Sequence, residues 1–261
     1  MKKLLLILGL IITFSNQVEA RPIQGGIAIN QYGISIGSNE YRNYLDVNHQ
    51  PTYEKVWVPA PTDRTGQYAR LYHLQTYAIR LYSSHVGRSN AVVEIDGKVV
   101  GKFRIQPQSS VTIERSRNNP KKFTFVRNGT PEFFDADLNG VAVDKRGLIK
   151  VTFYPEKFDR YTSENERIEA PGLSSKDQTE NYAPKSGGTG LSGMSDQNFV
   201  DAPEINVDHN KKVTIYLRLI EDFSYDHNRL ENQVNEHRYR HIVPLESQES
   251  NTSKFPEPVE R

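Results

Sequence analysis

The sequence predicts an all-β protein, an antiparallel β-sandwich of immunoglobulin-like or jelly-roll type. Apolar side chains recur at every second position in a series of short segments, which is the period of strands with one buried and one wet face. Turn-forming residues separate these segments at short intervals, as is typical of sandwiches and barrels. Tyrosine and phenylalanine are abundant, with 14 and 11 copies among 261 residues, and aromatic side chains favour strands.

The alternation is clearest between residues 68 and 155. Apolar and polar positions alternate over 77–82 and again over 149–154. Asp96-Gly97 joins two further alternating runs and is a strong hairpin signal, because both central residues of such a turn need a positive φ. A last alternating run at 212–220 is predicted to close the sheet, since an isolated strand could not bury its apolar face.

The remaining segments are less regular. Residues 26–37 predict a hairpin with Gly33 near its turn, and residues 39–66 predict an irregular segment with one short edge strand around Trp57. Residues 156–208 are rich in Ser, Asn, Asp, Glu and Gly, which predicts a long flexible insertion. The predicted organisation is a signal peptide at 1–20, an N-terminal hairpin and irregular segment at 21–67, a sandwich domain at 68–222 with its flexible insertion at 156–208, and a short C-terminal helix or tail at 223–261.

Residues 1–20 have the outline of a secretory signal peptide. Lys2 and Lys3 precede an apolar run at 4–14 that is too short for a comfortable bilayer span, and Ala20 ends the segment. We therefore expect an exported protein, located in the periplasm, on the cell surface or in the medium, with no transmembrane segment after cleavage. The chain has no cysteine, so its stability must come from a hydrophobic core rather than from disulfides.

The net charge of the chain indicates which classes of partner to expect. The formal net charge is +1, and loss of Lys2, Lys3 and Glu19 with the signal would bring the mature chain to neutrality. A neutral chain gives no electrostatic reason to expect nucleic acid as a partner. The expected partner is a protein or a glycan outside the cytoplasm.

One acidic segment has metal-ligand spacing. The candidate ligands are Asp135, Asp137, Asn139 and Asp144. The first three, followed by Gly140, have the D-x-D-x-N-G spacing in which alternate side-chain oxygens converge on calcium, the one cofactor that this pattern suggests. The spacing resembles the start of an EF-hand loop, but Arg146 stands at the twelfth position, where that family has a bidentate Glu. The alternative is a metal-free turn at Asn139-Gly140.

Two groups of side chains are candidate binding surfaces. Three tyrosines stand opposite the apolar positions of their strands and would form an exposed aromatic row if those strands are neighbours: Tyr82, Tyr154 and Tyr216. Four basic residues crowd one predicted loop that would contact an anionic glycan or a phosphate: Arg115, Arg117, Lys121 and Lys122. The alternatives are cross-strand pairing that stabilises the sheet, for the tyrosines, and a solvated surface, for the cations.

These patterns favour a non-enzymatic binding or structural module of the cell envelope or surface, which acts through a sheet face or an exposed edge. The residues show no assembled catalytic set. One alternative is an exported hydrolase of glycans, in which two of Glu132, Asp135 and Asp137 would form a catalytic carboxylate pair. Another is a calcium-dependent carbohydrate-binding module.

Overall fold

The computed structural model describes residues 20–45, 51–157, 168–169, 187–222, 242–246 and 255–259. Within these ranges the chain forms sixteen strands and one short helix. In chain order they are β1 (Ala20–Ile23), β2 (Gly26–Ile29), β3 (Tyr32–Leu45), β4 (Pro51–Pro59), β5 (Tyr68–Leu71), β6 (Thr76–Ser83), β7 (Ser89–Ile95), β8 (Lys98–Ile105), β9 (Ser109–Ile113), β10 (Lys121–Arg127), α1 (Pro131–Asp135), β11 (Leu148–Pro155), β12 (Ile168–Glu169), β13 (Gly187–Met194), β14 (Asn198–Ala202), β15 (Val213–Glu221) and β16 (Phe255–Val259).

Two sheets pack face to face, so the predicted all-β sandwich is confirmed. The eight-stranded sheet has the order β1-β2-β3-β6-β10-β13, with β4 beside β3 and β9 beside β6. The six-stranded sheet has the order β12-β15-β11-β7-β8, with β5 beside β15. Pairing is antiparallel except that β5 and β12 run parallel to β15. Strands β14 and β16 form a separate two-stranded sheet.

The core lies between the two sheets and is built from the alternating apolar positions. Each of the following side chains is wholly buried there: Ile34, Ile36, Ile79, Leu81, Phe123 and Phe125 from the eight-stranded sheet, and Val93, Phe103, Val151, Phe153, Ile215 and Leu217 from the six-stranded sheet. Burial of apolar surface is the main force that holds such a fold together. No helix among the described residues is long and apolar enough to cross a membrane.

Both predicted hairpins form. Asp96 and Gly97 have φ of 52° and 78°, as the β7–β8 turn requires. In the β2–β3 hairpin the turn itself lies at Asn30-Gln31, with Asn30 at φ 53°, just before Gly33. Asparagine tolerates the left-handed region, so it can take the turn. Gly33 instead pairs with Ala28 within the sheet.

Asp96 also ties the two sheets together. Its carboxylate is 3% exposed and accepts the backbone N–H groups of Gly147, at 2.5 Å, and Thr189, at 2.7 Å. Gly147 precedes β11 and Thr189 lies in β13, so one side chain links both layers of the sandwich. The Thr189 hydroxyl lies 2.7 Å from the Tyr77 hydroxyl. Burial raises the pKa of Asp96 to about 7, although the bonds from Thr189 and Gly147 act in the opposite direction.

The prediction of an irregular segment at 39–66 is wrong for residues 39–45 and for the full extent of the strand around Trp57. Strand β3 continues to Leu45 and pairs over residues 37–45 with β4. The predicted edge strand around Trp57 is confirmed, because β4 pairs with β3 alone among the described residues. Strand β3 is also hydrogen-bonded to β6, so β1 to β4 belong to the eight-stranded sheet of the sandwich.

The prediction of a flexible insertion at 156–208 is wrong for the two strands that lie within it. Residues 187–194 form β13, which pairs with β10 along its whole length, and residues 198–202 form β14. The glycines of β13 reflect close packing, because a Cβ at Gly190 would lie 2.6 Å from the Ile242 side chain. Glycine therefore marks a place with no room for a side chain.

Part of the predicted C-terminal helix or tail, residues 242–246, packs on the sandwich. Val243 exchanges two backbone hydrogen bonds with Leu191 at the edge of β13, and Leu245 is buried in the main core. A covered edge cannot template pairing with another chain. The predicted C-terminal helix and most of the predicted signal peptide, residues 1–19, lie outside the described residues.

Candidate binding face

The outer face of the eight-stranded sheet is divided into two halves. Over β10 and β13, α1 and the chain that follows it form a second small core of Leu74, Val126, Phe133, Ala136, Leu138 and Ile242. Beside β9, Ser195 donates to the Glu114 carboxylate at 2.6 Å and Gln197 donates to the Thr112 carbonyl, also at 2.6 Å. The other half crosses β4, β3, β6 and β9. We call it the Arg80 face, defined by Ser35, Gly37, Trp57, Arg80, Tyr82 and Thr112.

Small residues on β3 allow Trp57 and Arg80 to meet. Strand β3 lies between β4, which carries Trp57, and β6, which carries Arg80. A Cβ at Gly37 would lie 2.7 Å from the Trp57 ring, so the ring packs directly on the backbone there. The Arg80 guanidinium carbon lies 4.1 Å from the centroid of that ring. Ser35, opposite Arg80 in register, is consequently wholly buried.

The Arg80 guanidinium is held in place while two of its donor groups remain available. Its Nε donates to Thr112 Oγ1 at 3.1 Å, and its plane is supported by the Trp57 ring. Such a cation–π contact contributes about 0.5–1 kcal/mol at exposed sites and ~2 kcal/mol when desolvated. In the described part of the chain, Nη1 and Nη2 of Arg80 have no hydrogen-bond or ion-pair partner. The face therefore presents a fixed positive charge with two unused NH₂ groups.

The indole N–H of Trp57 lacks a hydrogen-bond partner within the described part of the chain. Its indole Nε1 is out of contact with solvent and has no hydrogen-bond acceptor among the described residues. Leaving a buried donor without an acceptor costs about 1–3 kcal/mol. Native proteins keep few such groups, and each needs a reason.

The structure does not bring the three predicted tyrosines into one row. Tyr82 lies in β6 of the eight-stranded sheet, whereas Tyr154 and Tyr216 lie in β11 and β15 of the six-stranded sheet. Tyr82 belongs to the Arg80 face, where its hydroxyl lies 3.4 Å from that of Ser35. In the six-stranded sheet, Tyr216 of β15 pairs in register with Lys150 of β11. The Tyr154 ring of the same sheet lies 5.4 Å from the His209 ring, edge to face.

The four predicted cations do not act as one group. Arg115 donates to the Gln197 carbonyl at 2.8 Å and lies over the Phe199 ring at 4.5 Å. Arg117 forms an ion pair with Asp201 at 2.7 Å. These two side chains therefore bind the protein's own segment 197–201. The remaining two, Lys121 and Lys122, are partly exposed at the start of β10.

The acidic loop is closed by an arginine. Among the described residues, no group of three or more His, Cys, Asp or Glu side chains could hold a metal ion. The segment begins at the end of α1, and Asp135, Asp137 and Asn139 are exposed. Arg146 donates from Nε to the Val141 carbonyl at 2.9 Å and from Nη2 to the Asn139 carbonyl at 3.0 Å. The protein's own cation thus binds the loop oxygens.

We expect calcium and EDTA to leave the melting temperature of the protein unchanged, because Arg146 already bridges this loop. Arg146→Ala should destabilise the protein by about 2 kcal/mol, since two charge-assisted hydrogen bonds to carbonyls are lost. Thermal melts with and without calcium, read by circular dichroism, measure both effects. A melting temperature that rises with calcium in the wild type but not in Asp137→Asn would support the calcium site instead.

One cluster of titratable residues was not apparent from the sequence. His73 accepts the Arg127 backbone N–H at Nδ1, 3.1 Å away, so its proton sits on Nε2, which faces a Glu132 oxygen at 3.4 Å. Burial lowers the pKa of His73 more than Glu132 raises it. Arg127 pairs in turn with Glu221 at 3.2 Å. Glu132, one acid of the hydrolase alternative, is therefore held by a histidine.

Comparisons with known proteins give no family assignment: no protein-family model, no curated protein and no solved structure matches the chain. Function must therefore be argued from the side chains themselves. Of the groups considered, the Arg80 face combines aromatic rings, a fixed charge with unused donors, and a neighbouring edge strand.

Proposed function

We propose that this chain is an exported, non-enzymatic binding module that engages a protein partner through the Arg80 face and the adjoining edge strand. The observation that carries the proposal is the stack of Arg80 on Trp57, in which the two NH₂ groups of Arg80 have no partner among the residues that the structure describes. Tryptophan, tyrosine and arginine are the residue types that dominate binding hot spots. The location outside the cytoplasm rests on the signal-peptide pattern of residues 1–20.

The ribbon formed by residues 38–45 and 51–58 supports a protein partner. Strands β2 and β6 pair with β3 only as far as residue 37, so beyond it the two ribbon strands pair with each other alone among the described residues. A lone two-stranded hairpin is marginally stable in water, and its unpaired backbone edges can accept another strand.

The arrangement favours a protein over a neutral glycan. Sugar rings bind by stacking on an open aromatic face. The Arg80 guanidinium covers one face of the Trp57 ring, and the backbone of Gly37 lies against the ring as well. This ring is therefore already used as a support for the arginine.

A capture experiment with matched variants tests the proposal. We expect the tagged mature protein to retain a partner from the envelope fraction of its own cells, and the double variant W57A/Y82A to lose it. The control is Y154A/Y216A, which removes two tyrosines from the other sheet and should retain the partner. Circular dichroism checks that both variants are folded. Equal capture by all three proteins would contradict the assignment of the Arg80 face.

A further inference from the structure

We propose that the Arg80 face binds an extended acidic segment of the partner protein, whose backbone pairs with the outer edge of β4 and whose carboxylate is received by the Arg80 guanidinium. The inference rests on the proposed function and adds the chemistry of the ligand. It is carried by two independent features, the charge of Arg80 and the edge of β4.

The charge of Arg80 is not matched within the described part of the chain. Three other arginines with partly exposed side chains are ion-paired there: Arg88 with Glu156, Arg117 with Asp201, and Arg127 with Glu221. Arg80 instead has a hydroxyl on Nε and an indole ring against its plane. A guanidinium fixed in this way has its fork ready for a carboxylate, which it can bind through two parallel hydrogen bonds. Because Thr112 and Trp57 already order the side chain, binding costs less conformational entropy.

The edge of β4 provides the second feature. Within the described residues, β4 is hydrogen-bonded only to β3, so its outer N–H and C=O groups face no strand. A strand added there would lie about 4.8 Å away, and every second side chain would share the face of Trp57. A Glu at such a position would extend over the Trp57 ring towards the guanidinium stacked on it.

A peptide satisfies both features, whereas an acidic glycan satisfies one. A uronate sugar offers the carboxylate but no backbone N–H and C=O groups for β4. The observations therefore favour a peptide with acidic residues at alternate positions.

Trp57 is the only tryptophan of the chain, so intrinsic tryptophan fluorescence reports on this face alone. The probe is a short peptide that alternates Glu and Thr, and its neutral twin alternates Gln and Thr. We expect a saturable change in emission with the Glu peptide only. Arg80→Gln should weaken this binding roughly tenfold or more, as loss of a charge-assisted bidentate bond implies. Arg80→Lys should weaken binding of the Glu peptide nearly as much as Arg80→Gln does, because lysine lacks the two-pronged guanidinium group. Arg70→Gln, which removes an exposed arginine of β5 in the other sheet, should leave binding unchanged.

Two further ligands complete the test. A Glu–Thr peptide with N-methylated backbone should bind far more weakly, because it cannot pair with β4. A polygalacturonate oligomer should not compete with the peptide. The proposal would be overturned if Arg80→Gln and Arg70→Gln weakened binding equally, or if the peptide gave no fluorescence response. It would also fail if polygalacturonate bound in preference to the peptide, because the ligand would then be an acidic glycan. If W57A/Y82A loses the captured partner while Arg80→Gln retains it, the acidic-segment proposal fails and the proposed function stands.

Discussion

Asp96→Ala is expected to destabilise the protein by about 2–6 kcal/mol, because two buried backbone N–H groups would each lose their acceptor. These are the N–H groups of Gly147 and Thr189, which Asp96 accepts from the two sheets. Alanine would also be strained at the φ of 52° found here. The free energy of unfolding of an ordinary domain is about 5–15 kcal/mol, so this single change should remove a large share of the stability of the protein.

The same carboxyl group should make stability depend on pH. Its pKa of about 7 in the folded protein lies above the ordinary value of 3.8, because burial disfavours the charged form. A raised pKa means that the folded state binds the proton more tightly. The stability that this raised pKa contributes to the folded protein is therefore fully present below about pH 4. It is lost as pH rises through about 7. The charged and titratable groups that act on or near this carboxyl are Lys98, Tyr77 and Arg218.

Asp96→Asn separates the two effects. The amide keeps one acceptor oxygen and tolerates the positive φ, so it should cost less than alanine. It does not titrate, so the difference in unfolding free energy between wild type and variant should shrink as pH rises through about 7. Urea unfolding followed by circular dichroism at acidic and alkaline pH measures this difference. Asp135→Asn, which makes the same carboxyl-to-amide change at an exposed position, is the control. A pH-independent difference for Asp96→Asn would contradict the assigned role.

Local signals in the sequence were sufficient for much of the fold. The alternation that predicts β6 or β11 lies within one strand, and the Asp96-Gly97 turn depends on two adjacent residues. Strand order is not local, and the wrong inferences follow from that. The three tyrosines stand on wet faces as predicted, but Tyr82 is in one sheet and Tyr154 and Tyr216 are in the other.

The candidate site depends on strand order in the same way. Arg80 could be placed on the wet face of β6 from sequence, and Trp57 on an edge strand. Their contact crosses an intervening strand whose small residues, Ser35 and Gly37, make it possible. No spacing rule connects positions 57 and 80. In the acidic loop the sequence places Arg146 at the twelfth position, where an EF-hand has Glu, and only the structure shows that its guanidinium donates to two carbonyls of that loop.

The segment 187–194 shows why composition alone misleads, since glycine is typical both of flexible chains and of strands packed too closely for a side chain. Gly190→Ala distinguishes the two. In a flexible segment the change would stabilise the protein by ~0.4–1 kcal/mol, because the unfolded chain loses freedom. In the structure the new methyl would lie 2.6 Å from Ile242 Cγ2 and 3.3 Å from Ala136 Cβ, so overpacking should destabilise it by about 1–3 kcal/mol.

Two variants make the sign of this effect informative. Gly140→Ala is the matched control, because a Cβ there meets nothing within 4 Å, and it should be neutral or slightly stabilising. In an Ile242→Ala background the Gly190→Ala change should cost less, since the atom it strikes is gone and contacting residues are not additive. Urea unfolding of the four proteins in this cycle gives the coupling. If Gly190→Ala stabilised the protein as much as Gly140→Ala does, the glycines of β13 would owe their place to flexibility and not to the packing of α1 and Ile242 against the sheet.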